Sequence, residues 1–287
     1  MKDFNLISRR AAVKSSVFGL IAVSIPNIVY SKEILNEVSA DKTEDKIFHR
    51  YPSIDDKIVS EVVGASHFNL DKVKELVNRR PELARATWDW AFGDWETALG
   101  AASHVGRRDI AAFLMSKGAR PDIFTFAMLG NHDAVKAMII SSPGIQSIAG
   151  PHGITLLQHA KNGLRSEGIT ELQKKDSTRL IAYLEELGNA DPKQKGIEMD
   201  DAEKEKYLGD YKYGDGPEEG FSVKINMRKL ISLGKLGAFG GGLYKQEDGS
   251  FIYNGISSVR ITFSAEQDKV VSLTVHEPDL TLTAKKI

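Results

Sequence analysis

The feature that most restricts what this chain can fold into is a recurring two-helix pattern, clearest over residues 97–119. Thr97-Ala98-Leu99-Gly100-Ala101-Ala102-Ser103-His104-Val105-Gly106 is followed by a second segment from Asp109 to Gly118-Ala119. Thr97 stands where an N-cap hydroxyl is needed, and the small residues at 101–103 let paired helices approach closely. Ile110, Phe113 and Leu114 recur at i, i+3 and i+4, the spacing of one buried helical face. Gly106 suits the turn between the helices, and Gly118 suits a C-terminal stop. The pattern returns with decay. Upstream it reads Ala65-Ser66-His67, then Val73, Leu76 and Val77; downstream, Phe126-Ala127, then Val135, Met138 and Ile139. A last copy runs from Gly153 through Leu157 and Ala160 to Leu180, Leu184 and Gly188, with a polar insert at about 164–177 between its helices. Tandem pairs of this kind bury their apolar faces on one another.

The 97–119 run closely resembles an ankyrin repeat, and residues 54–191 resemble about four such repeats, the outer two as caps. An ordinary helical bundle would share the periodicity. The resemblance implies a helical solenoid that recognises a protein partner through its concave face and hairpin tips, with no catalytic machinery of its own. A monomer is expected.

Two groups of residues are candidates for that surface. All three tryptophans, Trp88, Trp90 and Trp95, lie in one eight-residue window with Asp94 beside them, where an ankyrin fingertip would fall. Tryptophan is enriched at interface hot spots, and Trp88 and Trp90 would share one face of an extended strand. Packing of a long finger onto the first helices is the plainer alternative. His67 and His104 follow Ala-Ser pairs in successive copies, so stacking brings them within roughly 10 Å on the groove side. Two histidines without a third ligand make a poor zinc site, and no metal or other cofactor is expected. His132 and His159 sit in other registers, and His152 precedes Gly153 in a turn.

After Pro192 the pattern changes. Residues 192–206 read as a charged linker with a short helix. From 207 onward β-branched and aromatic residues alternate with polar ones between turn signals such as Asp248-Gly249. Eight candidate strands lie at 209–213, 221–227, 230–233, 242–246, 251–253, 260–264, 270–277 and 281–286. Leu208-Gly209-Asp210-Tyr211, Ile261-Thr262-Phe263 and the 269–276 run resemble a β domain of unknown function found behind β-lactamase-like serine hydrolases. The expected fold class is therefore multi-domain α + β: an ankyrin-type solenoid followed by a small antiparallel meander, a half-barrel or lipocalin-like sheet. Tyr211, Tyr213, Tyr244, Tyr253 and His276 would line a ligand cup there. The glycine-rich 234–242 segment lacks the Lys-Ser/Thr ending of a P-loop and reads as a bend between strands.

Residues 1–31 read as an export signal: Lys2, Arg9, Arg10 and Lys14 precede an apolar run from 17 to 29 that is short for a membrane span. The 8–14 segment resembles a twin-arginine motif, which implies a periplasmic or otherwise exported protein, with no membrane anchor after cleavage before Lys32. Residues 32–53 read as a flexible spacer. Losing the signal leaves 34 basic against 38 acidic residues, a net charge of −4, which argues against a nucleic-acid partner. The chain has no cysteine, so disulfides, thiol catalysis and thiolate-bound zinc are excluded. No Gly-x-Ser-x-Gly, Ser-x-x-Lys or His-Glu-x-x-His motif is present. The leading expectation is an exported, non-enzymatic binder of a protein partner, possible clients including an exported enzyme. A small-molecule binder or enzyme centred on the β domain is the alternative.

Overall fold

Capping side chains set where the helices begin. The structure is a computed structural model and describes residues 50–287. Asp55 and Asn69 accept backbone N–H bonds at the starts of α1 (Asp56–Ala65) and α2 (Leu70–Arg79). A hairpin follows, β1 (Thr87–Asp89) with β2 (Trp95–Thr97). The Thr97 hydroxyl caps α3 (Ala98–Val105), which ends at Gly106 in the left-handed region, φ 83°. Then come α4 (Arg108–Ser116), α5 (Ile123–Met128), α6 (His132–Ser141), α7 (Leu156–Leu164) and α8 (Glu171–Leu187). Helix α8 opens on a reciprocal Thr170–Gln173 capping box, so the polar insert expected across 164–177 is helical from Glu171.

The helices share two apolar cores. One gathers Val62, Val73, Leu76, Leu99, Ile110 and Leu114; the other gathers Ile123, Val135, Leu156, Leu180 and Leu184. Helix α7 lies so close to α5 that a Cβ on Gly163 would sit 1.8 Å from the Met128 carbonyl oxygen. Helix α5 has only six residues. Past it, Asn162 donates to the His104 carbonyl at 2.6 Å, and Arg108 reaches Gly163 O, Leu129 O and Ser177 Oγ at 3.0–3.1 Å.

The carboxy-terminal strands form a closed barrel. After α9 (Asp201–Tyr207), the strands are β3 (Gly209–Lys212), β4 (Gly220–Ile225), β5 (Ile231–Lys235), β6 (Gly241–Lys245), β7 (Phe251–Tyr253), β8 (Ile256–Glu266), β9 (Lys269–His276) and β10 (Thr281–Lys286). Each pairs antiparallel with the next, and β10 returns to β3 through Lys285↔Lys212 and Lys286↔Tyr211. Inward positions alternate, as in Ile231 and Leu233, Val259 and Ile261, Leu273 and Val275. Eight strands leave an interior that side chains can fill, and Tyr211, Phe251 and Tyr253 fill it here. In the glycine-rich segment, a Cβ on Gly240 would lie 1.8 Å from Leu233 O, so glycine is needed for a close strand crossing.

Two expectations are corrected. The fold is α + β with a closed eight-stranded antiparallel barrel, and not an ankyrin-type solenoid of about four repeats followed by a small meander or half-barrel. The β10–β3 pairing removes the open edges that a meander would leave. In a solenoid each repeat touches only its neighbours. Here α3 packs on α7 as well as on α5, and the β1–β2 hairpin reaches the barrel through Asp94 and Asn254. Phe92, in the hairpin loop, meets the Tyr253 ring at 5.0 Å and packs on the barrel core. Residues 54–287 form one compact unit. The export signal at 1–31, its twin-arginine motif and nearly all of the spacer at 32–53 lie outside the described residues. Among the described residues no helix is long and apolar enough to cross a membrane.

Candidate functional site

The hairpin, the turn after α1, helix α3 and the turn at Pro151–Gly153 bring four potential metal ligands to one point. His67, Glu96, His104 and His152 each offer one ligand atom, and these atoms all lie within 4.8 Å of one another. Glu96 is the centre of the group. It is the middle residue of β2, and strand alternation turns Asp94 and Glu96 inward while Trp95 points out. Glu96 is 1 % exposed, and Trp90 Nε1 donates to its Oε2 at 2.8 Å.

The three imidazoles approach this carboxylate through Nε2. His67 Nε2 and His152 Nε2 lie 3.3 and 3.4 Å from Glu96 Oε2, and His104 Nε2 lies 3.5 Å from Oε1. A tetrahedral ion with bonds of about 2.0–2.2 Å separates its ligand atoms by about 3.3–3.5 Å. The three histidine–carboxylate separations fall in that range, while the four ligand atoms as a group spread over as much as 4.8 Å, so the donors are gathered for a zinc-type ion and would draw in on binding it.

Nδ1 is anchored on two of these rings. His67 Nδ1 lies 3.0 Å from Gly64 O, which can only accept, so Nδ1 carries a proton and Nε2 is the atom turned to Glu96. His152 occupies the tight turn Pro151–Gly153 with φ 58°, a left-handed conformation uncommon for a residue other than glycine. That conformation lets one residue grip Asp94 twice. Its backbone N–H donates to Oδ1 at 2.9 Å and its Nδ1 to Oδ2 at 2.8 Å. Asp94 is held in turn by Asn254 Nδ2, 2.8 Å away, from the β7–β8 turn of the barrel. A carboxylate behind a ligand histidine orients the ring and raises its basicity.

The electrostatics are strongly coupled. Burial opposes charge on Glu96, but hydrogen bonds from His152 and His67 and the nearby positive charge outweigh it, and the carboxyl sits far below the usual range. Asp94 is lowered as well, against its burial, by the His152 bond and charge. Burial also opposes charging His152, yet the bonds to Asp94 and Glu96 raise it to about 9. His104 moves the other way. Burial lowers it to about 3 despite the Glu96 charge. The cluster thus holds His104 neutral and keeps two carboxylates ionised around His152.

Four buried atoms here have no hydrogen-bond partner among the described residues: Glu96 Oε1, both ring nitrogens of His104, and His159 Nε2. Leaving a buried polar group unpaired costs about 1–3 kcal/mol. A bound cation would engage the first of these atoms and His104 Nε2.

His67 and His104 come together as their spacing predicts, with ring centroids 4.8 Å apart. The missing ligands were Glu96 and His152, which are 29 and 85 residues beyond His67 in the chain. A sequence signal for Glu96 existed: Asp94 and Glu96 alternate around Trp95. Trp88 and Trp90 are partly buried against the helical core, and Trp95 is 61 % exposed. Trp95 lines a cavity of about 450 Å³ with Asp94, Phe124, Pro151 and Asn254. The candidate residues of the β domain do not converge on a cup. Tyr211 Oη donates to Tyr207 O, Tyr253 Oη accepts from Gly241 N, His276 pairs with Thr262, and Tyr244 lines a separate outer cavity. No family model, curated protein or solved structure matches this chain.

Proposed function

We propose that this protein binds one divalent transition-metal ion of the zinc type through His67, Glu96, His104 and His152. The observation that carries the reading is the convergence of four ligand atoms in a buried pocket where Glu96 Oε1 and His104 Nε2 otherwise lack partners. A purely structural ion-pair cluster would account for Asp94, Glu96 and His152. It gives His104 only the 3.5 Å approach of Nε2 to Glu96 Oε1, which makes no hydrogen bond, and it leaves Nδ1 with no partner among the described residues. Imidazole and carboxylate donors suit zinc, and the lack of thiolate is in keeping with a chain that has no cysteine. Four protein donors close a tetrahedral shell, which is the arrangement of structural and metal-holding sites rather than of hydrolytic centres with an open position.

The ion would join the amino-terminal helices, the hairpin and the turn at His152, and through Asp94 and Asn254 would reach the barrel. Export through a twin-arginine signal, which resembles the route of proteins that fold first, would let the ion be taken up before translocation. A protein partner remains a second reading, carried by the exposed Trp95 beside its cavity.

The test is metal analysis of the 54–287 unit within the full chain after dialysis against Zn²⁺, and the absorption spectrum of the Co²⁺ form. One ion per chain with intense tetrahedral Co²⁺ bands is expected, and Glu96→Gln and His104→Ala should lose it. Wild-type protein that retains no ion would overturn the proposal.

A further inference from the structure

His159 stands outside the four ligands, yet it is fully buried and carries an unpaired nitrogen. It lies in α7, one turn after Thr155. Its Nδ1 is 2.8 Å from the Thr155 carbonyl oxygen, which only accepts. His159 is therefore protonated at Nδ1 and offers a lone pair at Nε2. The facing requirement belongs to His104. If its Nε2 binds the ion, its Nδ1 must carry a proton, and that proton has no acceptor among the described residues. The two unsatisfied atoms are complementary, one donor and one acceptor. Both lie in the same buried layer, with ring centroids 6.5 Å apart. Nitrogens facing each other at that ring separation are beyond a direct bond of about 3 Å and within the span of one bridging water.

His159 also touches the other side of the site. A Cβ on Gly150 would lie 3.1 Å from His159 Cε1, and Gly150 immediately precedes the turn that carries His152. Phe124 packs on the His159 ring at a centroid distance of 4.8 Å and helps fix its plane.

We infer that His159 is a positioning residue for the metal site: it accepts the Nδ1 proton of His104 through one bridging water and so commits His104 Nε2 to the ion. This rests on the metal-binding reading above. It completes a regular arrangement in which every ligand imidazole binds through Nε2 and anchors Nδ1 behind it, His67 on Gly64 O, His152 on Asp94 and His104 on His159. Anchors of this kind are worth about 10–100-fold in metal affinity.

The experiment pairs affinity with ring-nitrogen spectroscopy in the full chain. Zn²⁺ affinity is measured by chelator competition for wild type, His159→Phe and His159→Gln. Phenylalanine keeps a ring but no acceptor, and should weaken binding about 10–100-fold. Glutamine places an amide oxygen near the former Nε2 and should recover affinity to within about threefold. In the Zn²⁺ form of wild type, long-range ¹H–¹⁵N correlation should show His104 protonated at Nδ1 and His159 unprotonated at Nε2. Equal affinity of wild type and His159→Phe would overturn the inference and leave the metal site standing. Binding of His104 through Nδ1 would do the same, and this measurement decides the matter even where a variant fails to fold. Wild-type chain that takes up no Zn²⁺ would overturn both.

Discussion

Metal uptake at this site should release a proton from His152, and its affinity should climb with pH. His152 is raised to about 9 because its bonds to Asp94 and Glu96 overcome its burial. Its Nδ1 proton stays hydrogen-bonded to Asp94, so the proton displaced by an ion is the one on Nε2, which faces Glu96. At pH 7 a group with that pKa is about 99 % protonated. Removing the proton costs about 2.7 kcal/mol, or about 100-fold in apparent affinity relative to the deprotonated ring. His104, lowered to about 3, is already neutral and releases nothing. Glu96, held far below the usual carboxylate range, is already ionised. Apparent affinity should therefore rise about tenfold from pH 7 to pH 8 through His152 alone. Titration calorimetry in two non-chelating buffers of different protonation enthalpy counts the protons, and chelator competition across pH 6.5–8 gives the slope. Asp94→Asn should reduce proton release at pH 7, because it withdraws the charge that holds His152 protonated. Uptake with no proton release, or an affinity that is flat with pH, would refute His152 as a ligand in the form described.

The metal-free fold should have its own pH optimum. The raised His152 stabilises it fully below the unfolded value of about 6.5, and that contribution, of order 3 kcal/mol, is lost as pH rises through about 9. The depressed His104 acts with opposite sign, destabilising the fold as pH falls from about 6.5 toward 3. Urea unfolding of chelator-treated protein should therefore show greatest stability near pH 6.5–7; a stability that increases from pH 7 to 9 would contradict the assignment. Asn254→Leu removes one of the donors to Asp94 and unpairs the Gly242 N–H that donates to Asn254 Oδ1. It should cost about 1–3 kcal/mol in urea unfolding and weaken Zn²⁺ binding about 10–100-fold, although Asn254 is no ligand. Gly163→Ala drives a methyl group into the Met128 backbone and should lower stability by about 3 kcal/mol or more, read from the urea midpoint; an unchanged midpoint would mean that α5 and α7 can separate at little cost.

Local signals were readable because the interactions behind them are local. Thr97 and Gly106 bound α3 through bonds to residues within a few positions, and the Thr170–Gln173 box that opens α8 is equally local, though it lies inside a run of charge. The strands of the barrel lie close to the alternating segments, since alternation is a property of neighbouring residues. Closure was not readable. It depends on Lys285 and Lys286 meeting Lys212 and Tyr211 across the whole domain. The helical pattern also overstated its regularity: apolar spacing shows that helices pair, and it does not show that α3 will pack on α7 past a six-residue α5.

The candidate site divides along the same line. From the sequence alone, His67 and His104 become neighbours because equivalent positions of successive helical pairs stack. Alternation likewise settles that Asp94 and Glu96 share a face opposite Trp95. Which face that is, and what it meets, belonged to the tertiary structure. Packing laid Trp88 and Trp90 partly against the helical core and brought in His152 in a left-handed conformation that its residue type disfavours. It also set Asn254 of the barrel behind Asp94, 160 residues away. Metal ligation needs several donors within a few ångströms of one point, and a chain meets that condition only when segments distant in sequence have found their places.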